Sequence, residues 1–182
     1  MHKSLFLFEG LVTPVKSQGS CGSCAAFAAT SVIETCFLKA GASLKDLDVS
    51  EQKILDCGKH TSGFGPMEGC GGSGPLSYIW YMAGKQVNHE NNYPYEGKYT
   101  KNICKNTPYW NPGAKIDVKA IGEWDTTDEK IMFLVKTYGS VATALNADMG
   151  FKDYASGVYD KWYIIELLIY LYHLHTFNRN LS

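Results

Sequence analysis

The chain has 182 residues, enough for one large domain or two small ones with a substantial buried core. Its 17 Lys and Arg against 18 Asp and Glu give a net charge of −1, which removes the electrostatic case for nucleic acid or an anionic membrane surface as a partner. Six cysteines, at 21, 24, 36, 57, 70 and 104, are many for a reduced cytosolic protein. Their irregular spacing, with no second close pair, argues against a four-thiolate zinc site and for disulfides in an oxidising compartment.

Residues 1–8 start basic but hold four apolar residues before Glu9, short of the roughly 7–15 of a secretory h-region. No secretory signal is visible, which disagrees with the cysteine usage; an absent true N-terminus or a processed chain reconciles the two. The next stretch carries the chemistry. Gln18-Gly-Ser-Cys-Gly-Ser-Cys24-Ala-Ala-Phe-Ala28 puts a thiol at the start of an apolar helix, with an amide side chain six positions before it. A thiol attacks as the thiolate, and a helix N-terminus favours an anion through its dipole and free N–H groups. An amide aimed at the same spot could donate to the oxyanion that forms on an acyl group under attack. These residues point to acyl transfer by a cysteine. Cys21 and Cys24 also form a C-x-x-C, the spacing of a redox pair, although no βαβ pattern surrounds it.

Residues 24–40 read as a helix apolar almost all round, through Phe27, Val32, Ile33, Cys36, Phe37 and Leu38, with Gly41 as its stop; such a helix belongs in the middle of a domain. Ser50 is the expected N-cap of a helix over 51–57 that turns Ile54 and Leu55 inward. A glycine-rich turn over 63–74 leads to Pro75, which starts a third helical stretch through Tyr78, Ile79 and Met82. Residues 84–114, rich in Asn, Gly, Pro and Tyr, read as irregular loop. From Lys115 the character changes. Residues 115–120 alternate as a half-buried strand, and Thr126-x-x-Glu129 is a capping box for a helix carrying Ile131, Leu134 and Val135 and closed by Gly139. Residues 140–147 and 151–159 read as a second and a third strand. A helical first part and a β-rich second part predict an α+β fold in two lobes, with the boundary near 110–115. After Asp160 the run 161–175 is crowded with Ile, Leu and Tyr and shows no turn chemistry. Interrupted by Glu166, it is too short to span a bilayer, which takes about 20 residues. A buried helix, an ill-packed appendage and out-of-frame translation all fit it.

The segment Thr13-Pro-Val-Lys-Ser-Gln-Gly-Ser-Cys-Gly-Ser-Cys-Ala-Ala-Phe27 closely resembles the region around the catalytic cysteine of papain-like cysteine peptidases, the cathepsin family. Four further blocks match in order: Val49-Ser-Glu-Gln-Lys-Ile-Leu-Asp-Cys57, Gly69-Cys-Gly-Gly72, Tyr93-Pro-Tyr95, and Gly139-Ser-Val-Ala-Thr-Ala-Leu-Asn-Ala147 followed by 151–159. The likeness covers roughly residues 10–160. It implies a cysteine-type endopeptidase with a papain-like two-lobe α+β fold. The expected organisation is an atypical N-terminus over 1–9, a complete helical lobe with the cysteine helix over 10–114, an incomplete β-barrel lobe over 115–160 and an unrelated tail over 161–182. The resemblance makes Cys24 the nucleophile and Gln18 the oxyanion donor, helped by the Cys24 N–H. It pairs Cys21 with Cys70 and Cys57 with Cys104, leaving Cys36 as an odd buried thiol. Gly72 and Ser73 would lie on the edge that hydrogen-bonds substrate backbone, and Gly74, Pro75 and Ala144 round the pocket for the second residue before the cut. It further implies a peptide or protein substrate, a monomer, no cofactor, no metal, no nucleic acid, no membrane, and a lysosomal or extracellular location.

Several positions depart from the family pattern. Ala25 replaces a nearly fixed Trp, an aromatic that would bury about 150–250 Å². Ser73 stands where a second Gly is expected, and residues 1–8 bear no likeness to the family's entry segment. The gravest departure follows residue 159, where the family's general-base His and its orienting Asn block have no counterpart. His173 and His175 fall near the usual separation of about 130–150 residues after the cysteine. Their neighbours show no strand alternation, and Asn178 and Asn180 follow too closely to orient them. They read as incidental residues of the tail, and His2, His60 and His89 have no motif around them. General acid–base help is worth about 10²–10⁴-fold. The expectation is therefore a truncated, nearly inactive endopeptidase, with a non-catalytic peptide-binding pseudoprotease as the alternative.

Overall fold

The computed structural model describes residues 10–58, 69–98, 104–110, 127–144, 155–156 and 168–171, with the backbone course alone at 75, 76, 144 and 168–171. The apolar run from residue 24 forms helix α1 (Cys24–Lys39), whose buried residues, from Ala25 and Ala26 through Val32, Ile33 and Phe37, cover more than one face. An all-round apolar helix has no wet side and becomes the core element. It stops where Gly41 takes a φ of +95°, a conformation that costs glycine nothing. Ser50 then caps α2 (Glu51–Cys57), its hydroxyl accepting from the Lys53 N–H at 3.1 Å. Pro75, with no N–H to lose, is the first residue of α3 (Pro75–Met82). Ile54, Leu55, Tyr78, Ile79 and Met82 of α2 and α3 close over Ile33 and Phe37 of α1 in one apolar cluster. Burying each such side chain is worth about 1.5–3 kcal/mol.

Two disulfides fasten this cluster, in the pairing the resemblance implies. Cys21 bonds Cys70, joining the entry to α1 to the 3-10 turn Gly69–Gly71. Cys57 bonds Cys104, joining the end of α2 to residues 104–110. Those residues are held further by the Asn88 amide, which donates to the carbonyls of Thr107 and Pro108, and by the edge-on contact of Trp110 with Phe37. Cys36 is buried and outside any disulfide. Short ordered pieces punctuate the expected loop over 84–114: a 3-10 turn at Glu90–Asn92 and a bridge between Val49 and His89.

The second part differs from expectation in three places. Helix α4 (Asp128–Tyr138) is capped by Thr127, whose hydroxyl accepts from the Lys130 N–H, and not by Thr126. Gly139 closes it as expected, with a φ of +105°. The expected strand over 140–147 is seen as β1 (Val141–Ala144); Ser140 is in no strand, and 145–147 lie outside the described residues. β1 pairs antiparallel with β2 (Leu168–Leu171), Val141 opposite Leu171 and Ala144 opposite Leu168. The run after Asp160 thus supplies a strand where no alternation was legible; hydrogen bonding to a distant partner decides it. Ala155 and Ser156, the two described residues of the expected strand over 151–159, are in no strand. The strand over 115–120 lies outside the described residues. β1 lies against α1 and α3, so helices and sheet form an α+β fold around α1. No helix of the described residues is long and apolar enough to cross a membrane.

Candidate active site

Cys24 is the first residue of α1, exposed and not disulfide-bonded. Its backbone N–H makes no hydrogen bond among the described residues and lies beside the sulfur. The residue before it occupies the N-cap position without capping. Ser23 is fully buried, and its hydroxyl turns instead to the Tyr95 hydroxyl at 2.6 Å. The Tyr95 hydroxyl also donates to the Gln18 carbonyl at 2.8 Å, and the Gln18 side-chain amide donates to the Cys21 carbonyl at 2.9 Å. The loop from Gln18 to Ser23 is therefore tied at both ends and across its middle. The amide of Gln18 spends one of its two hydrogens in that tie, and the other has no acceptor among the described residues.

The adjoining turn is held just as closely. The Gly22 N–H donates to the Cys70 carbonyl at 3.0 Å, and a Cβ at Gly22 would come within 2.4 Å of that oxygen, so only glycine fits. With the Cys21–Cys70 bond, this sets residues 69–74 beside the loop that leads to Cys24. Gly72 has a φ of +102°, which favours glycine, while Ser73 turns its hydroxyl to the Gly74 carbonyl at 3.4 Å. Gly74 is exposed and precedes Pro75 at the start of α3. Ala144 ends β1, the strand that lies against α3. Gly72 and Ser73, expected at the substrate edge, and Gly74, Pro75 and Ala144, expected round the pocket, thus fall on elements that adjoin the Cys24 loop or one another.

Cys21 and Cys24 do not form a redox pair, because the Cys21 sulfur is bonded to Cys70. His89, the histidine among the described residues, has its ring nitrogens engaged with the Asp46 carbonyl at 3.2 Å and the Asn91 N–H at 3.0 Å, not with Cys24. His173 and His175 lie outside the described residues. Cys24 borders neither of two cavities that open among the described residues. One of about 440 Å³ lies between residues 12–16, α1 and β1; the other, of about 400 Å³, is lined by Lys53, Tyr81, Lys85, Lys105 and Tyr109. Sequence reading missed the role of Tyr95. Its block, Tyr93-Pro-Tyr95, was visible only as a likeness, and a phenol aimed at partners so distant leaves no local signal.

A family model described as papain family cysteine protease matches residues 8–173. The chain belongs to this family. The match runs past Asp160 and takes in β2. Cysteine proteinase 3 of Solanum lycopersicum is 35% identical over 157 residues, 83% of this chain and 40% of that protein. Procathepsin L of Mus musculus is 34% identical over 154 residues, 83% of this chain and 42% of that protein. The chain thus spans about two-fifths of the length of such relatives. Among solved structures, the digestive procathepsin L2 proteinase from Tenebrio molitor larval midgut has a TM-score of 0.73 at 29% identity, over 90% of this chain and 51% of that one. The bromelain protease from Ananas comosus, in complex with the E64 inhibitor, has a TM-score of 0.68 at 28% identity, over 85% of this chain and 66% of that one. Both neighbours share the papain-like α+β architecture.

Proposed function

We propose that this papain family chain carries the nucleophile and oxyanion donors of a cysteine-type endopeptidase, acting on peptide or protein substrates. The observation that carries the reading is Cys24, exposed and unbridged at the first residue of α1, with an N–H beside its sulfur that bonds to none of the described residues and Gln18 on the loop tied down next to it. The sulfur adds to the scissile carbonyl, and the Cys24 N–H and the second hydrogen of the Gln18 amide meet the oxygen as it gains charge. The C–N bond then breaks as the proton given up by the thiol passes through solvent to the leaving nitrogen, and water hydrolyses the thioester to the acid and the thiol. Gly72 and Ser73 offer backbone groups to an extended substrate, while Gly74, Pro75 and Ala144 flank its second residue before the cut. The two disulfides support an oxidising location, lysosomal or extracellular.

The turnover of this chain on its own is slow, because the family's general-base His and orienting Asn blocks have no counterpart in the sequence after Asp160. Loss of general acid–base help costs about 10²–10⁴-fold. The test is a thiol-alkylating epoxide peptide followed by peptide mapping. Labelling confined to Cys24 and abolished by Cys24→Ser supports the reading. Reversible peptide binding without labelling replaces it with a non-catalytic peptide-binding module. Efficient cleavage of a dipeptidyl fluorogenic substrate by the purified chain refutes the slow turnover.

A further inference from the structure

Tyr95 stands 77 residues from Gln18 and 72 from Ser23 in sequence, yet its hydroxyl oxygen meets both. Counting hydrogens fixes the direction of each bond. A phenol has one hydrogen, and the Gln18 carbonyl can only accept, so that hydrogen goes to Gln18 at 2.8 Å. The Ser23 hydroxyl must then donate to Tyr95, at 2.6 Å. Its other acceptor, the Cys21 carbonyl, lies at 3.5 Å, too far to compete. Ser23 is 0% exposed, so no water replaces this bond. The Tyr95 ring is itself held, by the edge-on contact with Phe27 at 5.0 Å and by its backbone N–H donating to Glu90 at 2.6 Å. One oxygen therefore joins the residue that precedes the Cys24 thiol to the backbone of the residue that carries the amide.

We propose that Tyr95 is a positioning residue, whose hydroxyl keeps the Gln18 amide and the Cys24 sulfur at the spacing a tetrahedral oxyanion requires. This inference rests on the roles given above to Cys24 and Gln18. Tyr95→Phe is the direct test, since it keeps the ring against Phe27 and deletes both hydrogen bonds. Two reagents separate positioning from folding. Iodoacetamide forms a sulfur–carbon bond as iodide leaves, and no oxyanion arises. A peptide aldehyde takes the sulfur on its carbonyl carbon; the C–O π bond opens, and the oxygen gains the charge or proton that Gln18 would meet.

In Tyr95→Phe, iodoacetamide should label Cys24 at the parent rate and with the parent pH profile, while the aldehyde binds about fivefold to tenfold more weakly, the worth of one such hydrogen bond. Gln18→Ala should lose at least as much, and adding Tyr95→Phe to it should cost nothing further, because the two act through one amide. Unchanged aldehyde affinity overturns the proposal, and so does an equal loss with both reagents, which marks a general structural role. Should Tyr95→Phe fail to fold, Ser23→Ala must show the same split between the reagents, and its absence is equally fatal. A parent whose Cys24 takes up neither reagent removes the nucleophile reading, and this inference with it.

Discussion

Lys16 reaches beneath α1, where its ammonium meets Glu34 at 3.1 Å, Glu51 at 2.8 Å, Asp48 at 2.7 Å and the Val49 carbonyl at 3.2 Å. Burial pulls a lysine down, but the Glu34 charge and the hydrogen bonds to Asp48 and Glu51 outweigh it and hold Lys16 above its ordinary range. Burial pushes Glu51 up, with Lys16 and the Thr30 hydroxyl offsetting part of the rise. Lys16 holds its proton more tightly folded than unfolded, so its contribution is full below the unfolded value of 10.5 and lost as pH rises through the folded one. Glu51, also raised, contributes fully below its unfolded value of 4.5 and loses that contribution as pH rises. Lys16→Met strands two carboxylates that are 2% exposed. Breaking a buried pair costs about 3–5 kcal/mol, and a quarter-exposed lysine puts this near 3 kcal/mol. Thermal melting checks it, and the variant's loss relative to the parent should shrink as pH falls toward the carboxylate range, because protonating Glu51, whose burial pushes it up, removes an uncompensated charge. Gly22→Ala should cost about 1–3 kcal/mol by forcing the Cys70 carbonyl away, and should slow epoxide labelling of Cys24. At this scale the sequence offers candidates for the chemistry and hides what holds them. Cys24 and Gln18 are legible from six residues of spacing, whereas the tie between them runs through a phenol more than seventy residues away.

Helix boundaries are legible wherever one local hydrogen bond decides them. Ser50 stands alone before its helix, and its hydroxyl meets the amide three residues on. Ahead of α4 two threonines adjoin, and the pairing of Thr126 with Glu129 imitates a capping box that Thr127 pre-empts. Glu129 still turns back: its own backbone N–H and the Thr127 hydroxyl hold its carboxyl below the usual range. Thr127→Ala should therefore lower stability by about 1 kcal/mol, read from the midpoint of urea unfolding at constant slope; an unchanged midpoint contradicts the assignment. Strand β2 shows the opposite case. A short apolar run such as Leu168-Ile-Tyr-Leu171 suits strand and buried helix equally. Its state is set by pairing with β1, far back in the chain, which no local window contains.

For the whole molecule, the pattern of thiols is the sharpest expectation. Of the six cysteines, Cys24 is open to solvent, Cys36 is buried and four are bridged. Mass spectrometry after alkylation should count one label on the native chain, two after denaturation without reductant and six after reduction; two on the native chain would place Cys36 at the surface. The bridges span 49 and 47 residues, and closing a loop of that size is worth about 4 kcal/mol in the chain-entropy account. The two spans also overlap, since Cys57 lies inside the first and Cys70 inside the second. A single backbone nick anywhere between Cys21 and Cys104 therefore leaves both pieces on one covalent thread, by one bridge or by both. A clipped sample should run as a full-length band on a non-reducing gel and fall into two fragments only when thiol is added. Damage of that kind, inflicted by a neighbouring protease, would scar the polypeptide without shedding any of it.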